Sequence, residues 1–466
     1  MQKVLSAGLA LALAAPFCAN AQTAAPTTSE IQLLRQEIES LRSAYEARLQ
    51  AMEQRLQLAE RSATPAVASA DSNAPPPPEP TVAASNATAG GANSFNPALS
   101  LILSGGYTRT SRDPASYNLT GFALPSGNAA GPGTRGLRLA ESELGLSANI
   151  DPWLRGVTNI SLHPDDSVSV EEAFVQTTAL SQGLSLKAGR FLSGVGYLNS
   201  QHSHTWDFVD NPLAYQALLG TQFGDDGLQL HWLAPTDQYL ELSVELGRGR
   251  SFPGNDSSRN GAGMSALTAH TGGDLGDSHS WRAGLSLLTA QADDQGLTAW
   301  DATSSSALNS AFSGSTQVWV ADGVWKWAPQ GNATRTSFKL QGEYLRSTRS
   351  GTLSYTLANN SLTAPYQVVQ SGWYLQGIYQ FMPSWRLGLR TERLDAGAPD
   401  YGGKAPALAG NGYQPAKYTL MLDYSPSEFS RVRLQLAQDK SREGAADNQV
   451  ALQYQMSLGA HGAHSY

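Results

Sequence analysis

The chain has 466 residues and a formal net charge of −8, and only 15% of its residues are Asp, Glu, Lys or Arg. That charged fraction is below the roughly 25% typical of soluble domains, whereas the 41% hydrophobic content excludes disorder along the whole chain. The mild acidity gives no reason to expect a nucleic-acid partner, and a single cysteine excludes an intramolecular disulfide.

Residues 1–21 have the pattern of a secretory signal peptide. Lys3 supplies a positive charge, residues 4–15 form a short apolar run, and a small-residue cleavage site ends at Ala21. The apolar run is too short to cross a bilayer as a helix. The sequence therefore predicts an exported protein whose mature chain begins after the cleavage site.

Residues 22–61 are predicted to hold a periplasmic coiled-coil helix, and residues 62–97 a linker. The flanking charges of the helix carry both signs, which favours self-association over an amphipathic helix lying on the barrel or on lipid. The linker is rich in Ala and Pro, so it is expected to be extended. The apolar residues of the helix step by three and four, as in a heptad seam: Ile31, Leu34, Ile38, Leu41 and Tyr45.

Residues 98–466 alternate apolar and polar residues in strand-length runs. Leu228, Leu230 and Trp232, for example, are separated by polar residues. A period of two indicates β-strands, and one apolar face against one polar face is typical of a soluble sandwich or of an outer-membrane barrel. The export signal, the many aromatic residues and the strand length favour the barrel, whose interior is polar.

The predicted fold is all-β: an antiparallel transmembrane β-barrel of about 16 strands, preceded by a short α-helical coiled coil. The strands are predicted near 98–109, 137–150, 153–162, 168–180, 184–191, 220–233, 239–247, 261–271, 280–291, 316–327, 335–349, 367–382, 385–394, 416–425, 430–440 and 448–460. Longer loops, which face outward in such barrels, are predicted at 110–136, 192–219, 248–260, 292–315, 350–366 and 395–415. An interfacial girdle is predicted from tryptophans beside short turns: Trp153, Trp232, Trp281, Trp327 and Trp385.

Two short motifs flank predicted strands, Ala188-Gly189-Arg190-Phe191 and Gly224-Asp225-Asp226-Gly227. With these motifs, the layout of the mature chain resembles Gram-negative outer-membrane porins with an N-terminal coiled coil, most closely the phosphate-selective porin and DcaP-like group. It also resembles proteins labelled zinc-linked TonB-dependent outer-membrane receptors. The resemblance implies a homotrimer in outer-membrane lipid that passes small hydrophilic solutes by diffusion. The barrel holds few lysines, so phosphate selectivity is not carried over.

The charged residues of the predicted strands are assigned to the barrel lumen. A charge that faces lipid at the membrane midplane costs about 2–4 kcal/mol, so these side chains should point inward. Opposed charges across a pore select solutes by charge, while solvated ion pairs without selectivity are the alternative. The predicted pore-lining residues are Glu241, Glu245, Arg282, Lys339, Glu343, Arg386, Arg390, Glu392, Arg431 and Arg433.

The third predicted external loop, 192–219, is expected to fold inward and form the constriction, as it does in porins. An outer lid or a trimer contact is the alternative for this loop. Its polar and aromatic residues are His202, His204, Trp206, Asp207 and Asp210.

Two histidine pairs are candidate metal ligands: His202 with His204, and His461 with His464. A structural zinc site needs about four ligands, and neither pair has a cysteine nearby in sequence. The sequence therefore predicts no metal site and no cofactor.

Catalytic motifs such as G-x-S-x-G, a P-loop or H-E-x-x-H are not found in the sequence, so no enzymatic activity is predicted. The predicted function is that of a porin in the outer membrane of a Gram-negative bacterium, with a charged lumen through which small hydrophilic solutes diffuse. The alternative is an outer-membrane receptor or transporter for zinc uptake.

Overall fold

The computed structural model describes residues 97–125, 130–255, 260–300, 307–357, 360–404, 408 and 412–459. The predicted signal peptide, the coiled-coil helix and almost all of the linker lie outside these residues, as do His461 and His464. Within the described ranges, no helix is long and apolar enough to cross a membrane.

The described residues form one continuous antiparallel sheet. Its strands are β1 (Ala98–Thr110), β2 (Leu124–Pro125), β3 (Gly136–Leu139), β4 (Ser142–Asn149), β5 (Leu154–Leu162), β6 (Val168–Thr177), β7 (Leu184–Leu192), β8 (Gly224–Leu233), β9 (Tyr239–Gly247), β10 (Met264–Leu275), β11 (His279–Trp300), β12 (Ala307–Trp327), β13 (Ser337–Leu357), β14 (Asn360–Met382), β15 (Trp385–Asp395), β16 (Ala416–Ser427), β17 (Ser430–Arg442) and β18 (Ala445–Gly459). A short α-helix, α1 (Leu213–Leu218), lies between β7 and β8.

Seventeen of these elements make the barrel wall, which counts sixteen strands. β3 and β4 pair with successive parts of β1, so together they act as one interrupted strand. β2 is a two-residue strand that pairs with β11 and adds nothing to the wall. β1 also pairs with β18, which closes the barrel. The predicted all-β fold and the strand count are confirmed.

The strands expose their apolar side chains on the outside of the barrel and bury their polar side chains inside, the reverse of a soluble protein. In β14, Trp373 and Leu375 are exposed on the outside, whereas Gln370, Tyr374 and Gln376 on the other parity are buried. Successive side chains of a strand point to opposite faces, so one parity faces outward along the whole strand. An apolar outer face around a polar interior is the construction of membrane-spanning barrels.

The five tryptophans of the predicted girdle lie where strands meet short connections. Trp385 begins β15 and Trp327 ends β12, and the rings of Trp385 and Tyr424 lie 4.6 Å apart. Residues 383–384 and 428–429 are the short connections nearest this aromatic pair. The five tryptophans therefore lie on the short-turn side of the barrel, as predicted.

The prediction of two long loops was wrong. Residues 292–315 and 350–366 are largely strand, because β11 to β14 continue far beyond the predicted ends, with pairs such as Ser310 with Tyr355. These Ser-, Thr- and Gly-rich stretches suggested loops, but cross-strand pairing continues through them. Phe312 and Tyr366 pack edge to face, with ring centroids 5.7 Å apart, in a small apolar cluster that supports the long hairpins.

A lysine in place of Leu389, on the outer face of β15, should destabilise the protein by about 2–4 kcal/mol, because it places a charge near the lipid midplane. The same substitution at Met382, at the end of β14 next to a turn, should cost about 0–1 kcal/mol. The measurement is the free energy of unfolding in lipid bilayers. Equal losses in the two variants would contradict the assigned outer face.

Candidate channel interior

A lateral row of ionisable side chains runs around the inner face from β9 to β18. Residues directly opposite in neighbouring antiparallel strands share one face of the sheet, so a chain of such pairs follows the wall. All but Gly284 and Tyr374 are Asp, Glu, His or Lys residues. In wall order the charged row is Glu241, His270, Gly284, Asp322, Glu343, Tyr374, Glu392, Lys417, Asp439 and Asp447.

Gly284 in this row has a steric role. A Cβ atom at this position would collide with the Asp322 carboxylate and the His270 ring. The missing side chain lets residues from β10 and β12 approach each other over β11. His270 Nε2 and Asp322 Oδ2 lie 3.8 Å apart across this gap.

The ten residues predicted to line the pore all share the strand parity of the charged row, and so they lie on the inner face. Several of them are not free in the lumen. Glu245 accepts hydrogen bonds from Ser193 and Gly194, and Glu392 accepts one from the Leu213 amide. The predicted lumen acids thus hold the connection between β7 and β8.

That connection, residues 193–223, is called the inward segment here. Glu343 on β13 accepts hydrogen bonds from the Tyr197 and Leu198 amides, at 3.2 and 3.0 Å. Arg433 on β17 donates to the Trp206 carbonyl at 2.8 Å, and Val209 donates to Gln435. Inner-face residues from many strands can all contact one segment only if it lies inside the barrel.

An apolar cluster accompanies these polar contacts. All six residues of α1 are buried, and Tyr215 donates a hydrogen bond from its hydroxyl to Glu343 at 2.8 Å. Val195, Leu219 and Phe223 pack in the same cluster as Val320 and Leu345 of the wall. The inward segment is therefore fixed by packing as well as by hydrogen bonds.

Asp207 of the inward segment lies among cations of the wall. It forms ion pairs with Lys339 and with Arg386, the latter at 3.2 Å, and Arg386 also binds Asp423 at 2.6 Å. Burial acts to raise the pKa of Asp207, but Lys339 and Arg386 outweigh it and hold that pKa well below its usual range. The carboxylate is charged throughout the physiological range.

Asp210, three residues after Asp207, lies in a similar arrangement. It pairs with Lys417 and with Arg390, the latter at 2.9 Å, and accepts a hydrogen bond from Gln435. Burial opposes ionisation here too, yet Lys417 and Arg390 hold the pKa of Asp210 well below its usual range. Arg390 also bonds Glu392 at 2.7 Å, so the pair is part of a buried network.

On another part of the wall, the inward segment meets carboxylates. His202 Nδ1 lies 3.1 Å from Glu171 and 3.3 Å from Glu143, and His202 Nε2 lies 3.0 Å from Glu172. His204 Nδ1 lies 3.1 Å from Glu143. We call these five residues the histidine–carboxylate cluster. Burial acts to lower the pKa of His202, but hydrogen bonds to the three carboxylates raise it well above its usual value.

A β-bulge explains how two consecutive carboxylates reach one imidazole. Asn159 pairs with Glu172, and the next pair is Ile160 with Val170, so Glu171 is the extra residue of β6. A bulge places two residues opposite one and turns a side chain away from strict alternation. The three glutamates are functional candidates that the sequence did not indicate, because strict parity assigns Glu171 and Glu172 to opposite faces.

The histidine–carboxylate cluster borders a cavity of about 790 Å³. Glu143, His202 and His204 line one part of it, and Lys339 and Arg386 line another. The cavity also touches Ser425 and residues 427–431 near a short turn, so it lies towards that end of the barrel. Acidic and basic groups therefore border the same space.

The fold is that of a closed 16-stranded antiparallel barrel, with an apolar exterior and a chain segment inside. No family model matches the chain. A protein of Aquifex aeolicus (strain VF5), described as uncharacterized, is 31% identical over 352 residues, which cover 71% of this chain and 70% of that protein. The chain belongs to the same family as this Aquifex protein.

Several solved structures are similar to this chain at low identity and with TM-scores below 0.5. A loop-deletion mutant of the Vibrio cholerae outer-membrane protein OmpT has a TM-score of 0.48 at 10% identity, covering 78% of this chain and 100% of its own. The Acinetobacter baumannii channel DcaP has 0.45 at 13%, covering 78% and 97%. An anion-selective porin from Comamonas acidovorans has 0.46 at 11%, covering 78% and 100%.

Replacing Glu343 with Gln should loosen the inward segment, because an NH₂ group replaces one of the two oxygens that accept hydrogen bonds from the Tyr197 and Leu198 amides. A buried donor that loses its partner costs about 1–3 kcal/mol, so these two amides should exchange with deuterium roughly tenfold faster. Hydrogen exchange by mass spectrometry measures this rate, and exposed Glu428→Gln is the control. Unchanged exchange in E343Q would contradict the assigned anchoring.

Asp210 should keep the inward segment in place down to about pH 4. A carboxylate whose folded pKa is lowered stabilises the fold above its unfolded pKa, roughly 3.9, and that contribution disappears only as the pH falls through the folded value. Exchange of residues 206–212, corrected for intrinsic rates, should stay slow from pH 7 to pH 4. In the Asp210→Asn variant, exchange of these residues should be fast already at pH 7. The control is Asp165→Asn, at an exposed position, which should exchange as slowly as the wild type. Loss of the wild-type protection near pH 5.5 would refute the prediction.

Proposed function

We propose that the protein is an outer-membrane porin through which small hydrophilic solutes diffuse passively. The observation that carries this proposal is the pairing of an apolar outer face, as at Trp373 and Leu375, with an inner face that holds the charged row. A barrel with this inversion is stable only in a membrane, since its exterior would otherwise be in water. Its polar interior then offers a path across the bilayer.

The inward segment acts as the constriction in this proposal. It occupies the interior between β9 on one side and β17 on another, where it contacts Glu245 and Arg433. A cavity of about 790 Å³ lies beside it on the short-turn side. A solute that crosses the barrel passes beside this segment, so the side chains on its surface influence which solutes pass.

Charge sorting follows from the groups that border the cavity. Lys339, Arg386 and Arg431 supply positive charge, whereas Glu143 supplies negative charge. Fixed charges of both signs around a narrow space create a local field that orients and selects charged solutes. The lumen is therefore a charged one in this proposal, with no built-in phosphate selectivity.

The surroundings of the porin follow from the sequence patterns. The protein is proposed to lie in the outer membrane of a Gram-negative bacterium and to assemble as a homotrimer, as in the phosphate-selective porin and DcaP-like group. The heptad seam within residues 22–61 supports self-association in the periplasm. The signal at residues 1–21 supports export.

Planar-bilayer recordings of the purified protein test the proposal. The wild type should show ohmic channels that pass small solutes. The double variant Lys339→Gln/Arg386→Gln should shift the reversal potential towards the value for a cation-selective channel. Removing two positive charges leaves Asp207 less compensated, so the cation-to-anion permeability ratio should rise by roughly twofold or more.

Lys440→Gln removes a positive charge from an exposed position on β17 and serves as the matched control. It should leave the reversal potential unchanged. A folded wild type that conducts no ions would overturn the porin proposal itself. Conductance with unaltered selectivity in the double variant would overturn only the charged-lumen part.

A further inference from the structure

We propose that Glu143, Glu171, His202 and His204 form a binding site for a divalent transition-metal ion, with Zn²⁺ as the representative. This site is independent of solute diffusion through the barrel. It lies where the inward segment, which carries both histidines, meets β4 and β6, which carry the glutamates.

The first argument is the convergence of ligand atoms. One nitrogen of His202 and one carboxylate oxygen each of Glu143 and Glu171 all lie within 4.8 Å of one another. His204 Nδ1 adds a second nitrogen, 3.1 Å from Glu143 Oε2. Ligands at about 2.0–2.2 Å around tetrahedral zinc stand roughly 3.3–3.5 Å apart. The separations of His202 from Glu143 and Glu171, 3.3 and 3.1 Å, are close to those of an assembled site. His204 contacts only Glu143 of these three residues, so it would complete the site by moving towards the ion.

The second argument is the orientation of His202. Its Nδ1 faces the proposed ligands, while its Nε2 lies 3.0 Å from Glu172 Oε2. The other oxygen of Glu172 accepts a hydrogen bond from the Leu192 amide, at 3.1 Å. Metal-binding histidines ordinarily donate their second ring N–H to a carboxylate, which fixes the tautomer and the ring plane. Glu172 is placed to do this and is a positioning residue.

The third argument is the support of the carboxylate ligands. Ser161 donates a hydrogen bond to Glu171 Oε2 at 3.2 Å, and Glu171 is the bulged residue of β6. Bulges often redirect a side chain at functional positions. Without the bulge, strict alternation would send Glu171 to the outer face, so the irregularity is what completes the ligand set.

Charge and access favour a cation as the occupant. The two ligand carboxylates balance a dication, and the donor set of two imidazoles and two carboxylates suits zinc rather than calcium or magnesium. Glu143, His202 and His204 line the cavity of about 790 Å³, which gives an ion a route in. A bound ion would join the inward segment to two wall strands and hold it more firmly.

Calorimetric titration of the untagged, EDTA-treated, full-length protein with ZnCl₂ tests the proposal. The background carries His461→Ala and His464→Ala, so that this second histidine pair adds no binding. We expect one Zn²⁺ per chain, and Glu171→Gln or His202→Gln should weaken binding at least about tenfold. His279→Ala, which removes a histidine stacked on Trp325 far along the chain, is the matched control and should bind as the background does.

Hydrogen exchange provides a second readout that does not depend on heat. Zinc should slow the exchange of residues 199–207 in the background protein and leave it unchanged in E171Q. E171Q keeps the size of the side chain, and its circular dichroism should match the background, which separates lost binding from lost folding. Absence of zinc binding, or binding that E171Q and H202Q leave intact, would overturn the proposal without touching the porin proposal.

Discussion

Each carboxylate and guanidinium that the strands point inward must have a partner inside the barrel. A buried charge is tolerated only when it is paired or hydrogen-bonded, and the inner face from β9 to β18 concentrates such groups in one lateral row. Glu343 shows the consequence, because two amides and the hydroxyls of Tyr215 and Tyr374 all donate to its two oxygens. The partners come largely from the inward segment.

The inward segment depends on the wall as much as the wall depends on the inward segment. The inward segment is mostly irregular, so its backbone N–H and C=O groups lack the partners that a helix or strand would supply, and buried backbone groups must be satisfied. Glu245, Glu343 and Glu392 accept from its amides, and Arg433 donates to one of its carbonyls. The wall and the segment therefore complete each other, and neither would be stable in this form alone.

The wall was the part that the sequence predicted well. Alternation has a period of two, and register within a barrel is fixed because a one-residue slip would turn every charge into lipid. This is why Lys339, Glu343 and Arg390 share one face of the sheet. The long hairpins were missed because their Ser, Thr and Gly residues look like loop residues, and only pairing with a neighbouring strand, as at Gly314 and Gly351, makes them strand.

The interior was predictable in outline only. An inward third loop was expected, and its Asp207 and Asp210 were singled out, but their partners on β13, β15 and β16 are remote in sequence. The glutamates around His202 were missed altogether. Glu171 and Glu172 are adjacent, and alternation would separate them; only the bulge in β6 brings both to the same imidazole.

Among the contacts that hold the inward segment, two groups differ in their chemistry. At Asp207 and Asp210 the partners are lysine and arginine, whose charge persists across the physiological pH range, so this anchor is constant. At His202 and His204 the partners are carboxylates, and imidazole with carboxylate is a donor set that a transition metal can also satisfy. A segment fixed firmly at one point and adjustably at another can change its hold on the wall without leaving the barrel.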